Sequence, residues 1–348
     1  MSGVVRTVLG DVDPAALGRV NYHEHLFQVS PLLPGDELDD ERASGLEAAS
    51  LKASGFETMV DATPFGLGRD PEALARISAK AELGIVATTG RHREAHYAAD
   101  HPTRSWDASR LAALFASDVQ AGMPASDDEP VRNGCTTGEQ LHDRDADSVV
   151  HPFPDRAGVP AVGPSGEPVR AGMLKGGVDY WRISAFERIT LHALAEAHRS
   201  TGAPVMVHLE FCTAAHEVLD LLAAEGVASD RVVLAHADRD PDAGMHLSLT
   251  ERGAFLGYDG FARPRTRSDA ELLQLTASVV AGGGAGRIVL GGDVARATRY
   301  IAYGGMPGLA YLGERYVPRL RALVGDEAVD RMLVDNPARL LTLSAPSS

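Results

Sequence analysis

The chain has 348 residues, of which 44% are hydrophobic and 23% are charged, as is usual for a globular protein with a large core. Lysine and arginine together number 33 and aspartate and glutamate 48, which gives a net charge of −15. Nucleic acids and anionic membranes bind basic surfaces, so neither is expected as a partner. A small-molecule substrate is the expectation that remains.

Cysteine content and the N-terminal segment bear on the compartment and on the type of metal site. Cys135 and Cys212 are the only cysteines, too few for a disulfide framework or a cysteine-based zinc site. The chain shows no signal-peptide pattern and no run of about 18 apolar residues that could span a membrane. We therefore expect a cytoplasmic protein in which histidine and carboxylate-type ligands bind any metal ion.

Short apolar, β-branched runs alternate with longer segments of helical period, a pattern that predicts parallel βα units. The eight predicted strands are 20–27, 57–62, 84–89, 170–175, 204–209, 231–237, 254–259 and 287–292. Predicted helices include 70–83, 184–201, 213–225 and 268–281, and two more follow the last strand at 313–324 and 326–333. This order predicts an α/β fold, a (β/α)8 TIM barrel as one domain over residues 1–348. A doubly wound open sheet is the alternative, but no glycine-rich dinucleotide loop follows the first strand.

A long insertion interrupts the alternation between the third and fourth predicted strands. Residues 124–169 are rich in Asp, Gly and Pro and have no sustained period, so they predict little regular structure. The segment follows the helix after strand three and precedes strand four, which puts its ends at the amino-terminal face of the barrel. We expect it to cover that face or to contact another subunit.

Residues that can bind metal lie at the ends of several predicted strands. His23 and His25 stand two positions apart in the first strand, so they leave the same face and can offer two nitrogen ligands to one ion. Two unrelated histidines are the alternative. Four further predicted strands end in a candidate ligand, namely Lys175, His208, His236 and Asp293. Because the carboxyl ends of barrel strands carry the active groups, the six residues predict one polar cluster.

The other histidines are expected to have ordinary roles. A single histidine that ends an apolar run is often a hydrogen-bonded structural residue, and only the agreement of six positions argues otherwise. Histidines on a predicted helix or in loops are expected to be solvated. These are His96, His101, His142, His151, His192, His198 and His246.

Lys175 is unusual in this cluster because bound metal ions would repel its ammonium form. We therefore expect this lysine to be neutral or modified. A neutral lysine amine can add carbon dioxide to form a carbamate, which carries a negative charge and two oxygens able to bridge two ions. A simple salt bridge to Asp293 is the alternative.

A series of motifs, in order along most of the chain, resembles the phosphotriesterase-like family of the amidohydrolase superfamily, which includes phosphotriesterase-like lactonases and related hydrolases. The matching pieces are RTVLGD (6–11), HEHL (23–26), VDAT (60–63), GRD (68–70), TG (89–90), AGMLK (171–175), TGAP (201–204), VH (207–208), AHADRDPD (235–242), GGD (291–293) and DNP (335–337). The resemblance implies a TIM barrel with a binuclear metal centre.

The resemblance also assigns the ligands. His23, His25 and Asp293 would bind the more buried ion, His208 and His236 the more exposed ion, and carbamylated Lys175 would bridge both. Zinc is the expected metal, and manganese, cobalt or iron also suit these ligands. Relatives are often homodimers, so a homodimer and a monomer are both compatible with the chain.

The reaction implied by this centre is hydrolysis by a hydroxide that bridges the two ions, with Asp293 taking the proton. A lactone or another carboxylic ester is the first expected substrate. Two alternatives remain open: a phosphotriester or amide hydrolase with the same centre, and a barrel that binds a small molecule without turning it over.

Substrate contacts are less clearly marked than the metal ligands. Arg263, in the loop after strand seven, suits a carboxylate or phosphate on the substrate, although a solvated basic loop is the alternative. His92 stands where the family usually has an aromatic residue, and Gly291 and Gly292 stand where relatives carry larger or polar residues. Tyr180 and Trp181, just after Lys175, either line the pocket or pack on the following helix.

Overall fold

A computed structural model of the chain describes residues 3–127 and 159–345. A short antiparallel pair, β1 (Val5–Thr7) and β2 (Gly10–Val12), precedes the eight parallel strands of the main sheet. These are β3 (Val20–Glu24), β4 (Thr58–Asp61), β5 (Gly84–Gly90), β6 (Ala171–Gly177), β7 (Val205–His208), β8 (Val232–Ala235), β9 (Phe255–Tyr258) and β10 (Ile288–Leu290).

The eight parallel strands form a single sheet in chain order, and its two edges meet. β10 lies beside β3, and the His23 carbonyl accepts hydrogen bonds from Gly292 N at 3.2 Å and Asp293 N at 2.9 Å. The predicted (β/α)8 barrel is therefore confirmed, and the open doubly wound sheet is not the fold.

Helices cover the outside of the sheet. They are α1 (Glu41–Ala53), α2 (Pro71–Ala81), α3 (Ala108–Gln120), α4 (Ala185–Thr201), α5 (Ala215–Ala224), α6 (Ala243–Glu251), α7 (Asp269–Ala281), α8 (Val317–Val324), α9 (Asp326–Asp330) and α10 (Asn336–Leu341). Local sequence explains several of their starts: Ser184 and Ser268 each form a capping box with the glutamate three residues later, at the beginnings of α4 and α7. None of the helices within 3–127 and 159–345 combines the length and the apolar character needed to cross a membrane.

Two apolar cores hold the barrel together. One lies between the sheet and the helices, and the other fills the inside of the barrel. Side chains alternate along each strand, so every second residue points inward. The inner core includes Tyr22, Val60, Val86, Met173, Met206, Val233, Phe255 and Val289. Because this core is filled, polar side chains from the strands can gather only at the ends of the barrel, and active groups of such barrels lie at the carboxyl end.

The first barrel strand is shorter and less regular than predicted. β3 ends at Glu24, so His25 lies just beyond it, and the pairing of β3 with β4 shifts register between Asn21 and Glu24. Such irregularities redirect side chains near active sites. As a result, two successive residues, Tyr22 and His23, both approach the carboxylate of Asp259.

The ends of the predicted insertion lie together just before β6, at the amino-terminal side of the sheet, as the sequence placed them. Met123 N donates to Val169 O at 2.8 Å. Residues 128–158, with Cys135, His142 and His151, lie outside the described residues. Within the segment, Asp127 accepts from Gly66 N and Arg69 Nε, both at 2.8 Å, in the loop that follows β4 on the carboxyl side of the sheet. The insertion therefore does not stay at the amino-terminal face along its described part.

Candidate metal centre

The six residues singled out at strand ends converge at the carboxyl end of the barrel. Lys175 Nζ lies 3.1 Å from His23 Nε2. Asp293 Oδ1 lies 3.7 Å from Nε2 of both His23 and His25, which shows that these two histidines face the same space. The His208 ring lies 4.4 Å from that of His236, measured between ring centroids, and all six residues are buried.

The donor set of this cluster fits metal ions. His23, His236 and Asp293 each offer one ligand atom, and these three atoms lie within 4.8 Å of one another. Burial lowers the pKa of His236 to about 3 and the pKa values of His25 and His208 well below their usual range. Their imidazoles are therefore neutral at neutral pH, which is the form that binds metal.

Three histidines of the cluster, His25, His208 and His236, are held by a hydrogen bond on one ring nitrogen, and His23 Nδ1 lies near a carboxylate without a hydrogen bond among the described residues. Asp259 Oδ1 lies 2.7 Å from His236 Nδ1, and its Oδ2 lies 3.4 Å from His23 Nδ1. Thr63 Oγ1 lies 2.7 Å from His25 Nδ1; because this hydroxyl donates to Phe27 O, it accepts from the imidazole. Such partners orient the ring and select its tautomer.

His208 is held at the opposite nitrogen. Its Nε2 lies 2.9 Å from Glu210 Oε1, and Glu210 is itself paired with Arg93 at 2.9 Å. Within the described residues, Nε2 has no hydrogen-bond partner on His25 and His236, and Nδ1 has none on His208, whereas His23 Nε2 lies beside Lys175. Arg239, 3.5 Å from Glu210 Oε2, ties this corner to the loop after β8.

Lys175 lies at the centre of the cluster and is shielded from solvent. It is fully buried, and besides His23 its Nζ contacts Met206 Sδ at 3.1 Å. Burial lowers its pKa to about 8, so an appreciable fraction of the amine is neutral near neutral pH. The alternative of a Lys175–Asp293 salt bridge is not formed in the described part of the chain; Asp293 pairs instead with histidines and arginines.

Asp293 is surrounded by positive charge. Arg263 Nη2 donates to its Oδ2 at 2.9 Å, and Arg239 Nη2 lies 3.7 Å from the same oxygen. Burial alone would raise the pKa of Asp293, but His236, Arg263 and His23 hold it well below its usual range. The carboxylate is therefore ionised at neutral pH and available as a metal ligand or a proton acceptor.

The backbone at this site is strained, and two glycines make room for it. His236 and Asp293 adopt left-handed conformations, with φ of 63° and 43°, which are uncommon for residues with a side chain and cluster at functional sites. A Cβ added to Gly292 would lie 2.0 Å from Glu24 Oε1, and one added to Gly291 would lie 2.8 Å from the Tyr22 ring. These glycines, noted as departures from the family, accommodate buried side chains of β3.

The four residues predicted to contact substrate are placed differently from one another. His92 is buried with its ring 4.7 Å from that of His208, and Arg263 donates a hydrogen bond to Asp293. Tyr180 and Trp181 are 57% and 73% exposed, and Tyr180 packs edge-on against Trp181 and Phe211. The structure therefore brings His92 and Arg263 to the cluster and leaves Tyr180 and Trp181 on the surface.

Several residues of the site were not predicted from the sequence. Asp259 follows β9 directly, so the rule that strand ends carry the active groups would have found it. Glu210 stands two residues after His208, the same spacing as His23 and His25. Thr63 had no sequence signal beyond its place in the family motif.

Three histidines expected to be solvated are not. The His96 ring lies 3.7 Å from that of His92, and its Nε2 is buried with no hydrogen-bond partner among the described residues. His198, in α4, is buried with Nδ1 2.7 Å from Ala203 O. His246 lies in α6 rather than in a loop and is fully buried beside Tyr258. These predictions were wrong because burial of a loop or of a helix face depends on how it packs against the barrel.

Comparisons with known proteins agree with this geometry. A family model described as the phosphotriesterase family matches residues 3–137 and 161–341. A phospho-furanose lactonase of Mycoplasmopsis agalactiae is 28% identical over 359 residues, which cover 98% of this chain and 92% of the relative. An N-acetyltaurine hydrolase of Salmo salar is 25% identical over 389 residues, 98% of this chain and 99% of the relative. The crystal structure of a lactonase from Listeria monocytogenes superposes with a TM-score of 0.81 at 27% identity, covering 98% of this chain and all of that one.

Proposed function

The chain belongs to the phosphotriesterase family and is a metal-dependent hydrolase, and we propose that it opens a lactone or another carboxylic ester with a binuclear centre. The observation that carries this proposal is the convergence of six buried ligand-type residues, among them four histidines, three of which are oriented by separate hydrogen-bond partners. Ligands prepared in this way are typical of metal sites rather than of structural polar clusters.

In this proposal the ligands divide between two ions. His23, His25 and Asp293 would hold the first ion; Asp293 Oδ1 lies 3.7 Å from Nε2 of both histidines, and its Oδ2 lies 3.7 Å from Nδ1 of His236. His208 and His236, with adjacent rings, would hold the second ion. Lys175, beside His23, would contribute to both as a carbamate.

The chemistry then depends on a few side chains. When bound, two divalent ions supply a hydroxide near neutral pH and polarise the scissile carbonyl. Asp293 is ionised and faces the cluster, so it accepts the proton released as attack proceeds. Arg263 and Arg239 keep the Asp293 carboxylate ionised and hold it in position.

The substrate class rests on the relatives and on charge. Two relatives are named as lactonases, one of them for phosphorylated furanose lactones. Arg263 and Arg239 have side chains 22% and 21% exposed at the mouth of the site in a strongly acidic protein. We infer that they attract a lactone with a carboxylate or phosphate substituent, with Arg263 as the first contact.

An amide or a phosphotriester is the second candidate, favoured by the N-acetyltaurine hydrolase relative and by the family itself. The same centre would serve either bond. The third possibility, a barrel that binds without turnover, is not supported, because the relatives compared above are named as hydrolases or lactonases.

A substrate panel tests the proposal. Protein loaded separately with zinc, manganese, cobalt or iron is assayed with γ- and δ-lactones, with and without a phosphate group, and with an aryl ester, an N-acyl amine and an aryl phosphotriester. We expect the highest kcat/KM on a lactone, loss of activity after chelation, and recovery when metal is restored. Faster turnover of the amide or the phosphotriester under every metal would overturn the lactonase assignment.

A further inference from the structure

His92 occupies a defined position beside the metal cluster. Its ring lies 4.7 Å from that of His208 and 3.7 Å from that of His96, so it is held between the two. Its main-chain N–H donates to Tyr97 Oη at 2.9 Å, and Tyr97 Oη donates in turn to Phe65 O. The residue is therefore fixed through its backbone as well as through its ring.

The hydrogen bonds of the ring determine its tautomer. Arg93 N lies 2.8 Å from His92 Nδ1, and a main-chain N–H can only donate, so Nδ1 must be the unprotonated nitrogen. Gly177 permits this contact, because a Cβ there would lie 3.1 Å from Nδ1 and 3.2 Å from Arg93 N. The proton of the neutral ring is consequently on Nε2, which has no acceptor among the described residues.

His96 supports this arrangement from the far side. Its Nδ1 lies 3.2 Å from Ser30 Oγ, in the segment after β3, so it links that segment to the loop carrying His92. With His96 behind it and His208 in front, the His92 ring cannot turn without displacing a neighbour. Its free Nε2–H is thus a preorganised donor next to a proposed ligand of the more exposed ion.

We propose that His92 is a substrate-contacting hydrogen-bond donor whose Nε2–H binds the carbonyl oxygen of the substrate as that oxygen gains negative charge. This inference rests on the proposed hydrolase function, and it adds a hydrogen-bond donor to the polarisation of the same carbonyl that the ions would supply. Fixed donors aimed at a developing charge accelerate acyl transfer because they need no reorganisation during the reaction.

Two variants of the metal-loaded enzyme test the role in catalysis. His92→Phe keeps the ring but removes the donor, and we expect kcat on the best lactone to fall about 100-fold with a smaller change in KM. His92→Gln can place an amide N–H where Nε2 lies and should recover at least about tenfold of that loss. His192→Phe, on the exposed side of α4, controls for loss of a histidine. Wild-type kcat in His92→Phe, or equal rates for the two His92 variants, would overturn the proposal.

A spectroscopic measurement separates this inference from the hydrolase assignment. In 15N-histidine-labelled, metal-loaded protein, the resonances absent from His92→Phe report the tautomer of His92. We expect a protonated Nε2 and an unprotonated Nδ1, and a shift of the Nε2 resonance when δ-valerolactam, an unreactive lactone analogue, is bound. A proton on Nδ1, or no response to bound lactam, contradicts the role of His92 even if lactones are hydrolysed. If no lactone is hydrolysed but both signatures appear, the substrate assignment fails and the donor stands.

Discussion

Asp259 and His236 form a buried carboxylate–imidazole pair, with Asp259 Oδ1 2.7 Å from His236 Nδ1. The other oxygen of the same carboxylate lies 3.4 Å from His23 Nδ1 and accepts a hydrogen bond from Tyr22 Oη. One side chain therefore hydrogen-bonds a proposed ligand of one ion and lies within ion-pair distance of a proposed ligand of the other. Its buried position, below the ligands and away from solvent, makes it a support rather than a ligand.

Replacing Asp259 with Asn should weaken metal binding about 10–100-fold, because an amide no longer selects the histidine tautomers as a carboxylate does. Competition with a fluorescent chelator measures the affinity for each ion. Asp220→Asn, an equal change of charge at an exposed position on α5, is the control and should bind like the wild type. Unchanged affinity in Asp259→Asn would show that the carboxylate does not position these histidines.

The proposed role of Asp293 predicts a separation of activity from metal content. In Asp293→Asn the side chain cannot accept a proton, so we expect kcat to fall by about 10²–10⁴-fold while metal stays largely bound through the histidines and Lys175. Elemental analysis of the same sample gives the metal content. Wild-type turnover in this variant would rule out Asp293 as the proton acceptor.

Lys175 should carry a carbamate in the metal-loaded enzyme. Burial lowers its pKa to about 8, and the neutral amine is the form that adds carbon dioxide. After incubation with 13C-bicarbonate and metal, we expect one carbamate 13C signal in the wild type and none in Lys175→Met. The variant should also lose at least one ion per chain, whereas Lys80→Met on α2 should retain both. Two tightly held ions in Lys175→Met would remove the need for a carbamate.

Arg263 should influence the pH range over which the Asp293 carboxylate is ionised. Burial raises the pKa of Asp293, and His236, Arg263 and His23 lower it further than burial raises it. Arg263→Met removes a cation 2.9 Å from this carboxylate, so the pKa rises and the group is protonated at a higher pH. The acid limb of kcat/KM against pH should therefore lie at a higher pH than in the wild type.

The neighbouring Arg265 provides a matched control for that experiment, because it lies in the same loop but is exposed. Arg265→Met should leave the acid limb where it is in the wild type. An equal shift in both variants would mean that the loop acts through its overall charge. A third possible result, no shift in Arg263→Met, would show that Arg263 does not influence the ionisation of Asp293.

Local patterns were sufficient for the barrel and for the six strand-end residues. Alternation of short apolar runs with helical segments predicts parallel βα units, and a parallel barrel places the carboxyl ends of all its strands together. Residues as distant in sequence as His23 and Asp293 could therefore be placed in one cluster. The sequence could not predict that β3 ends before His25, because that depends on a register shift against β4.

Only the tertiary structure decided how those residues are held and what lies beside them. The partners of the histidines, Asp259, Thr63 and Glu210, come from three different βα units, and their pairing depends on how these units pack. The same reason applies to His96, which the sequence predicted to be solvated, and which loop packing places against His92 beside His208. A strand can be predicted locally, because its side chains alternate with a period of two residues. Contacts between loops cannot, because they depend on how the whole barrel packs.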